Sequence, residues 1–194
     1  MKKVRLAIFI SGSGSNAEAI ILHFQNHPLV KVVMVLSNNP DAYGLERARK
    51  YAIPVKVFSR PQFRESEEVL QWLKDADVTH LVLAGFLWLV PSYLIQAFPQ
   101  HIINIHPALL PKFGGKGMYG IKVHEAVKAS GDLQTGITIH VVDENYDEGK
   151  TLFQAFAAVE AIDSPEDIAA KVQQLEHLHY PKVIEEWVAG SKQD

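Results

Sequence analysis

The sequence predicts an α/β fold: a Rossmann-like, mostly parallel sheet flanked by helices, with an antiparallel C-terminal strand pair and a long C-terminal helix. Three observations lead to this prediction. Apolar runs rich in β-branched residues alternate with amphipathic helical segments through the first half of the chain, as in βαβ crossovers. After His106 the alternation stops, and two strand patterns follow each other. A helical pattern then runs to the end of the chain.

The predicted elements follow one another at short spacing. In the first half, strands are expected at 4–10, 31–37, 55–58, 80–84 and 101–105, and helices at 17–25, 43–51, 63–74 and 92–98. A Gly- and Pro-rich loop at 107–120 precedes a helix at 123–129 and strands at 136–142 and 151–159. Ser164 is the expected N-cap of the last helix, because Pro165 suits its first position. We expect a single domain over 1–194, with halves at 1–100 and 101–194.

Composition narrows the class of protein. Apolar residues make up 47% of the 194 residues and charged residues 21%, as in an ordinary globular domain that can bury its own core. The absence of cysteine excludes disulfides and thiolate chemistry and fits a reducing compartment, so we expect the cytoplasm. With a net charge of −3 and no polybasic run, no nucleic-acid partner is expected. The first apolar stretch is too short for a leader or a membrane span, so no membrane partner is expected either.

A glycine-rich turn, Ser-Gly-Ser-Gly-Ser-Asn at 11–16, joins the first strand to the first helix. Glycines let the backbone approach an anion and the free amides of the helix start point at it, so a phosphate is expected there. Gly12, Gly14 and Ala17 also satisfy the dinucleotide fingerprint. However, the Ser-Asn-Asn at 37–39 lacks the acid that would hold a ribose, which weighs against a nicotinamide oxidoreductase. A turn that only reverses the chain stays open.

Two polar residues, Asn104 and His106, end the apolar strand that precedes Pro107. Alternation along a strand places both on the same side, at the carboxyl end where ligands bind in open parallel sheets. An asparagine amide donates hydrogen bonds, and a histidine donates or carries a proton near neutral pH. Both could therefore stabilise the oxyanion that forms when a carbonyl is attacked. The alternative is that Asn104 ties down a turn and His106 merely ends a strand.

Other candidate groups are weaker. The acidic loop at 143–149 contains Asp147, which spacing alone does not link to the strand-end pair, and the loop lacks the residue placement of an EF-hand. His140 alternates with apolar neighbours and His124 begins a short helix, so each is left as either a cleft residue or a packing residue. No group of histidines and carboxylates has the spacing of metal ligands, and no metal is expected.

Four segments, in chain order, resemble a known family: the turn at 11–16, Leu-Ala-Gly-Phe at 83–86, Asn-Ile-His-Pro-Ala-Leu-Leu-Pro at 104–111 and Asp-Glu-Gly at 147–149. They are similar to the formyltetrahydrofolate-dependent formyltransferase family, and the turn and the short length narrow the resemblance to its phosphoribosylglycinamide formyltransferase branch. The resemblance covers nearly the whole chain. It implies an enzyme that transfers the formyl group of 10-formyltetrahydrofolate to the amine of 5-phosphoribosylglycinamide, in de novo purine (IMP) biosynthesis. The products are formylglycinamide ribonucleotide and tetrahydrofolate.

The resemblance also implies roles for particular residues. The first half of the domain would hold the nucleotide phosphate, and the second half would bind folate and carry the catalysis. The implied catalytic residues are Asn104, His106 and Asp147. The implied substrate-binding residues are Gly14, Ser15, Asn16, Gln173 and Glu176. The implied folate-binding residues are Arg64, Leu87, Trp88, Leu89, Val90, Asn104, Asp143, Glu144, Asn145, Tyr146 and Asp147.

In the implied mechanism, the neutral amine attacks the formyl carbon, and Asn104 and a protonated His106 hydrogen-bond the oxyanion. Asp147 would raise the pKa of His106, because a nearby negative charge favours the imidazolium. It would also order a water that carries the proton from the amine to N10. The expected partners are the two small-molecule substrates, and the chain is expected to act as a monomer or a homodimer.

The chain departs from the family pattern between Pro111 and His124, where many members are several residues shorter. Lys122 aligns with a histidine that some members carry, and Trp88 aligns with an arginine. Alternative functions stay open. A formyltransferase acting on initiator tRNA is expected to carry a basic C-terminal domain, and a hydrolase of the folate an extra N-terminal domain. A non-catalytic nucleotide-binding module would account for the turn but not for the polar residues at the strand end.

Overall fold

The computed structural model describes residues 3–190, so the outermost residues of the predicted 1–194 domain lie outside the described part. The strands are β1 (Val4–Ile10), β2 (Val30–Ser37), β3 (Val55–Val57), β4 (His80–Leu83), β5 (Ile102–His106), β6 (Gln134–Val141) and β7 (Thr151–Ala158). The helices are α1 (Ser15–Phe24), α2 (Tyr43–Lys50), α3 (Arg60–Arg64), α4 (Glu68–Asp75), α5 (Ser92–Ala97), α6 (Ile121–Ser130) and α7 (Pro165–Gly190).

All seven strands form one sheet in the order β3-β2-β1-β4-β5-β6-β7. Strands β1 to β5 pair in parallel, and β6 and β7 pair antiparallel, which confirms the predicted fold class. The chain first builds outward from β1 to β3 and then crosses back to place β4 on the other side of β1. Ligands of open α/β sheets bind at the carboxyl ends of the strands beside such a reversal. The topology thus directs attention to the ends of β1, β4 and β5.

Strand β1 shows how the core forms, because its side chains alternate between the two faces of the sheet. Leu6 and Ile8 are fully buried in a cluster that includes residues of α1 and α7. Ala7 and Phe9 point to the other face, where α4 and an aromatic group that includes Phe58 cover them. Each such large apolar side chain contributes about 1.5–3 kcal/mol when fully buried. Apolar residues on both faces explain why β1 reads as a continuous apolar run.

The prediction of a single helix at 63–74 is wrong, since the structure has two short helices there, α3 and α4. Helix α3 begins at Arg60, earlier than predicted, because Ser59 and Gln62 form a reciprocal capping box. It ends early because the Ser66 hydroxyl donates to the carbonyl of Gln62 at 3.1 Å. The Glu68 amide donates to the same hydroxyl at 3.4 Å and starts the next helix. Local side-chain hydrogen bonds here override the apolar periodicity.

Helix α7 begins as predicted, because the Asp167 amide donates to the Ser164 hydroxyl at 3.1 Å and the Ser164 amide donates to the Asp167 carboxylate at 2.9 Å. Further along, the fully buried Tyr180 hydroxyl lies 2.9 Å from the carbonyl oxygen of Leu83 and 3.3 Å from that of Ile103. The hydroxyl donates to these oxygens, which belong to the last residue of β4 and the second residue of β5. Helix α7 is therefore tied to the strands that lead into the site. Within residues 3–190, no helix has both the length and the apolarity needed to cross a membrane.

We predict that Tyr180→Phe lowers the free energy of unfolding by about 1–3 kcal/mol, because the two buried carbonyls lose their shared donor. Urea unfolding at constant pH measures the change. The control is Tyr43→Phe, since the Tyr43 side chain is half exposed, and its stability should stay within about 0.5 kcal/mol of the native value. Equal stability of the two variants would show that the Tyr180 hydroxyl does not hold α7 to the sheet.

Candidate active site

A cleft of about 750 Å³ lies at the carboxyl ends of β1, β4 and β5. One end is formed by the glycine-rich turn and by α7, and the other by the segment that follows β4. Asn104 and His106 line the middle, opposite the Gly-rich loop that follows Pro107. The acidic loop between β6 and β7 closes the side next to β5 through Asn145, Tyr146 and Asp147.

The glycine-rich turn is held in shape by α2. Gly14 adopts a left-handed conformation (φ 69°), and its Cα packs directly against the backbone of Gly44. The Gly44 amide donates to the Gly12 carbonyl at 3.1 Å, and Arg47 Nε donates to the Ser13 carbonyl at 3.0 Å. Because the carbonyls turn toward α2 and the N-cap residue of α1 has no side chain, the first amides of α1 are left for a ligand. This geometry is consistent with the predicted phosphate site.

Asn38 and Asn39 follow β2, at the position where a dinucleotide site would carry an acid that binds the ribose. In this structure both side chains contact Ser11 instead. Asn38 Oδ1 accepts the Ser11 hydroxyl at 2.7 Å, and Asn39 Nδ2 donates to the Ser11 carbonyl at 3.3 Å. The same hydroxyl accepts the amide of Leu87 at 3.0 Å. Ser11 therefore joins the glycine-rich turn to the segment after β4, so the two ends of the cleft are coupled through one side chain.

The residues predicted to bind the substrate lie together at this end of the cleft. Gln173 Nε2 donates to the Ser15 hydroxyl at 3.3 Å, and Asn16 Nδ2 donates to Glu176 at 2.9 Å. All four side chains line the cleft, as does Gly14. Burial raises the pKa of Glu176, although the hydrogen bond from Asn16 lowers it in part. Asn16 Oδ1 is buried without a hydrogen-bond partner among the described residues, which adds an unsatisfied acceptor beside the turn.

The three residues predicted to be catalytic meet at Asp147. Asn104 Nδ2 lies 3.5 Å from Asp147 Oδ1, and His106 Nδ1 lies 3.5 Å from Asp147 Oδ2. His140 completes the group, because its Nε2 lies 3.1 Å from Asn104 Nδ2 and 3.6 Å from Asp147 Oδ1. The site thus combines an amide donor, two imidazoles and a carboxylate, which is an arrangement able to stabilise an oxyanion and to move a proton.

Burial decides the charge of His106. Burial lowers the pKa of His106, while the Asp147 charge and the hydrogen bond to the Phe113 carbonyl raise it by less. Asp147 therefore raises the pKa of His106, as predicted. The larger effect of burial nevertheless favours a neutral imidazole at rest, and not the predicted imidazolium. Burial also raises the pKa of Asp147, and the contacts with His140, His106 and the Gly115 amide outweigh it, so that this pKa is lowered. Near neutral pH the resting pair is a carboxylate beside a neutral imidazole.

The far wall of the cleft is formed by residues 87–90, which follow β4. The Leu89 amide donates to the Tyr146 hydroxyl at 3.2 Å, and the guanidinium of Arg64 donates to the Leu89 carbonyl at 3.2 Å. Trp88 contributes an indole that packs near Phe58 and Phe63. Leu87, Trp88, Leu89 and Val90 all line the cleft. Three residues predicted to bind folate do not line the cleft: Arg64, Asp143 and Glu144.

Two histidines that the sequence left open lie in the cleft. His140 is directly opposite Asn104 in the antiparallel pairing of β5 with β6, so the strand register brings the two side chains together. His124 is buried on α6, lines the cleft and has an unpartnered Nδ1 among the described residues. Burial and the nearby His106 lower its pKa. The register of β5 with β6 would have identified His140 as a neighbour of Asn104. No local sequence pattern indicates that His124 lies in the cleft.

The long loop after Pro107 takes a position that the sequence did not predict. Residues 115–121 line the cleft, while the Lys122 ammonium stacks on the ring of Tyr119, 5.0 Å from its centroid. The side chain aligned with a family histidine is thus directed at a loop neighbour. Within residues 3–190, no group of three or more histidines or carboxylates is arranged to hold a metal ion.

We predict that Asp147→Asn lowers the pKa of His106 further, because it removes the negative charge that partly offsets burial. NMR titration of the histidine ring signals measures this change. The control signal is that of His177, whose lowered pKa has burial as its main cause, with Arg47 and Glu18 as the charges involved. An unchanged or raised pKa of His106 in the variant would contradict the assigned electrostatic link.

Comparison with known proteins places the chain in a family. The chain is 44% identical over 189 residues to the chloroplastic phosphoribosylglycinamide formyltransferase of Arabidopsis thaliana, covering 94% of this chain and 65% of that protein. The corresponding protein of Haemophilus influenzae is 37% identical, with 98% and 89% of the two chains covered. This chain spans 65% and 61% of the length of the two chloroplastic relatives, from Arabidopsis thaliana and Vigna unguiculata.

Solved structures agree with the sequence comparison. Glycinamide ribonucleotide transformylase 1 from Symbiobacterium toebii superposes with a TM-score of 0.89 at 32% identity, covering 97% of this chain and 89% of that one. The phosphoribosylglycinamide formyltransferase from Bacillus halodurans gives a TM-score of 0.86 at 36% identity, covering 96% of both chains. The family model described as formyl transferase matches residues 4–184. The chain therefore belongs to the formyl transferase family.

Proposed function

We propose that this protein transfers the formyl group of 10-formyltetrahydrofolate to the amine of 5-phosphoribosylglycinamide, giving formylglycinamide ribonucleotide and tetrahydrofolate. One observation carries the proposal: Asn104, His106 and Asp147 converge in a cleft whose other end is a glycine-rich turn leading into a helix without a side-chain cap. The printed names of the relatives from Arabidopsis thaliana and Haemophilus influenzae support the same activity. The reaction would serve de novo purine biosynthesis.

The ribonucleotide would occupy the end of the cleft next to the glycine-rich turn. The amides of Ser15 and Asn16 would hold its phosphate, since they begin a helix whose N-cap is a glycine. Gln173 and Glu176 would hold the ribose, because they project from α7 onto the same turn. The glycinamide arm would then extend toward Asn104, which lines the middle of the same cleft.

The folate would occupy the end bounded by residues 87–90 and by the acidic loop. Residues 87–90 and Tyr146 line this end, so the backbone of the wall is within reach of a heterocycle. The Leu89 amide, which donates to the Tyr146 hydroxyl at 3.2 Å, would have to exchange that partner to bind it. Arg64 contacts the outer side of this wall. We propose that it meets the folate tail only after leaving the Leu89 carbonyl.

The proposed chemistry moves one proton and exchanges one bond. The amine nitrogen bonds to the formyl carbon, the bond from that carbon to N10 breaks, and a proton passes from the amine to N10. Asn104 donates a hydrogen bond to the oxyanion, which is a contribution worth about 3–4 kcal/mol in comparable sites. His106 is neutral at rest and carries the proton, because the oxyanion and Asp147 together favour its charged form.

Several finer statements stay predictions. These are the single domain over 1–194, the cytoplasmic location, and action as a monomer or a homodimer. Two relatives are named as chloroplastic proteins, so location differs within the group. A hydrolase of the folate, another formyltransferase, or a non-catalytic nucleotide-binding module would each use part of the same cleft. Turnover, and not binding, separates these possibilities.

The proposed function is tested by mixing the protein with 10-formyltetrahydrofolate, with and without 5-phosphoribosylglycinamide, and following folate absorbance. Tetrahydrofolate should form only when the ribonucleotide is present, and mass spectrometry should find the formylated ribonucleotide in equal amount. Release of tetrahydrofolate without the ribonucleotide would indicate a hydrolase. Binding of the ribonucleotide without any turnover would indicate a binding module.

We predict that Asn104→Ala, His106→Ala and Asp147→Ala each lower turnover by roughly two orders of magnitude or more, because each removes a donor or a charge that acts on the oxyanion or the proton. Steady-state kinetics under saturating substrates measure the effect. The control is Lys122→Ala, since the Lys122 ammonium stacks on Tyr119 and the residue does not line the cleft. Near-normal turnover of His106→Ala would overturn the assignment.

We also predict that Gly44→Ala raises the KM for the ribonucleotide roughly tenfold or more, because even small displacements of a binding group are costly. A Cβ at Gly44 would lie 2.8 Å from Gly14 Cα and 2.5 Å from Ile10 Cδ1, so the glycine-rich turn must shift. The KM for the folate should change little. Gly190→Ala is the matched control, because no heavy atom of the described residues lies within 4 Å of a Cβ built there. An unchanged KM for the ribonucleotide in Gly44→Ala would show that α2 does not shape the turn.

A further inference from the structure

The backbone of residues 113–115 contacts both members of the catalytic pair. His106 Nε2 donates to the carbonyl of Phe113 at 2.8 Å. The amide of Gly115 donates to Asp147 Oδ2 at 2.9 Å. Three consecutive residues of one loop thus hold the imidazole through an acceptor and the carboxylate through a donor. We call residues 113–115 the clamp.

A side chain at the residue between the two contacts would require its neighbours to move. A Cβ at Gly114 would lie 2.5 Å from Leu110 Cδ2 and 3.3 Å from Asp147 Cβ. The Leu110 side chain could turn aside, but Asp147 would have to shift by a few tenths of an ångström. Phe113 and Asp147 both adopt left-handed conformations, each with φ 59°. Non-glycine residues seldom do so unless their surroundings hold them there, which indicates that loop and carboxylate are fixed against each other.

The contact at Nε2 determines which ring nitrogen of His106 can act. A carbonyl oxygen only accepts hydrogen bonds, so the Nε2 proton stays on the ring in its hydrogen bond to Phe113. The other nitrogen, Nδ1, lies 3.5 Å from Asp147 Oδ2, and both residues line the cleft. In the neutral ring Nδ1 is unprotonated, and it is therefore the atom that can take up a proton.

We infer that the clamp is the positioning device of the catalytic pair, and that it assigns proton transfer to Nδ1 of His106. This inference rests on the proposed formyl transfer and deepens it. The amine proton would move to Nδ1 as the nitrogen bonds to the formyl carbon, and would leave Nδ1 for N10 as the old bond breaks. The Nε2 proton takes no part, and the backbone of Phe113 and Gly115 keeps ring and carboxylate aligned throughout.

The first test needs no substrate. Two-dimensional ¹⁵N NMR of the full-length protein distinguishes protonated from unprotonated ring nitrogens, and His106→Gln identifies the signals of His106. The expected result is a neutral ring with its proton on Nε2 and protonation of Nδ1 on acidification. A neutral ring with its proton on Nδ1 would overturn the inference. Because this readout involves no turnover, it stays decisive even if the protein formylates a different amine.

The second test moves the clamp. Gly114→Ala should lower kcat by about 10- to 100-fold while both KM values stay within about twofold, because the catalytic groups move and the binding surfaces do not. In the Gly114→Ala protein, the ¹⁵N signals of His106 should also show that the neutral ring no longer carries its proton exclusively on Nε2. Leu110→Val removes the Cδ2 atom that the new methyl group would strike, so Gly114→Ala/Leu110→Val should recover part of the lost kcat. The Gly190→Ala control should match the native protein.

The outcomes of the second test separate positioning from general damage. A lower kcat with altered His106 signals, and with recovery in the double variant, supports the clamp. A kcat of Gly114→Ala within twofold of the native value, in a folded protein, would overturn it. So would a loss of kcat that leaves the His106 signals unchanged. If Gly114→Ala fails to fold, the tautomer measured in the native protein decides.

Discussion

The structure depends on holding one carboxylate, Asp147, in a largely buried position beside two imidazoles. Burial alone would raise its pKa, and the contacts with His140, His106 and the Gly115 amide reverse that tendency. Those partners come from β5, from β6 and from the loop after β5. A charge at this point is therefore stable only when the antiparallel strand pair, the parallel sheet and the Gly-rich loop are all in their folded positions.

The same requirement explains the mixed sheet. A strand that is followed by a parallel neighbour must leave through a crossover, as β4 does before β5, whereas β5 is followed by the antiparallel β6. In the antiparallel pairing, Val141 at the end of β6 lies opposite Ile103 near the start of β5, so the connection between β6 and β7 must fold back to bring Asp147 to Asn104 and His106. Asn104 and His106 reach the cleft from the end of a parallel strand, and Asp147 reaches it from a hairpin connection. The antiparallel pairing also places His140 opposite Asn104, where its ring meets the same carboxylate.

Much of the fold was predictable because its strands carry apolar runs on regular spacing, and one helix was misjudged where Ser59 and Ser66 set the boundaries through side-chain hydrogen bonds. The site was predictable in part. Strand alternation placed Asn104 and His106 together, and the glycine-rich turn indicated an anion. Only the resemblance connected Asp147 to them. The roles of Phe113 and Gly115 lie in backbone atoms, which residue types do not reveal, and the neutral state of His106 depends on burial that spacing cannot measure.

The late position of β6, β7 and α7 in the chain has a consequence for synthesis. A nascent chain that has left the ribosome only as far as β5 already contains the glycine-rich turn, Asn104 and His106. It still lacks Asp147, and it lacks the Gln173 and Glu176 of α7. Such a chain has the glycine-rich turn but neither the carboxylate nor the α7 side chains that contact this turn. The proposed activity therefore requires that the last third of the polypeptide has been made.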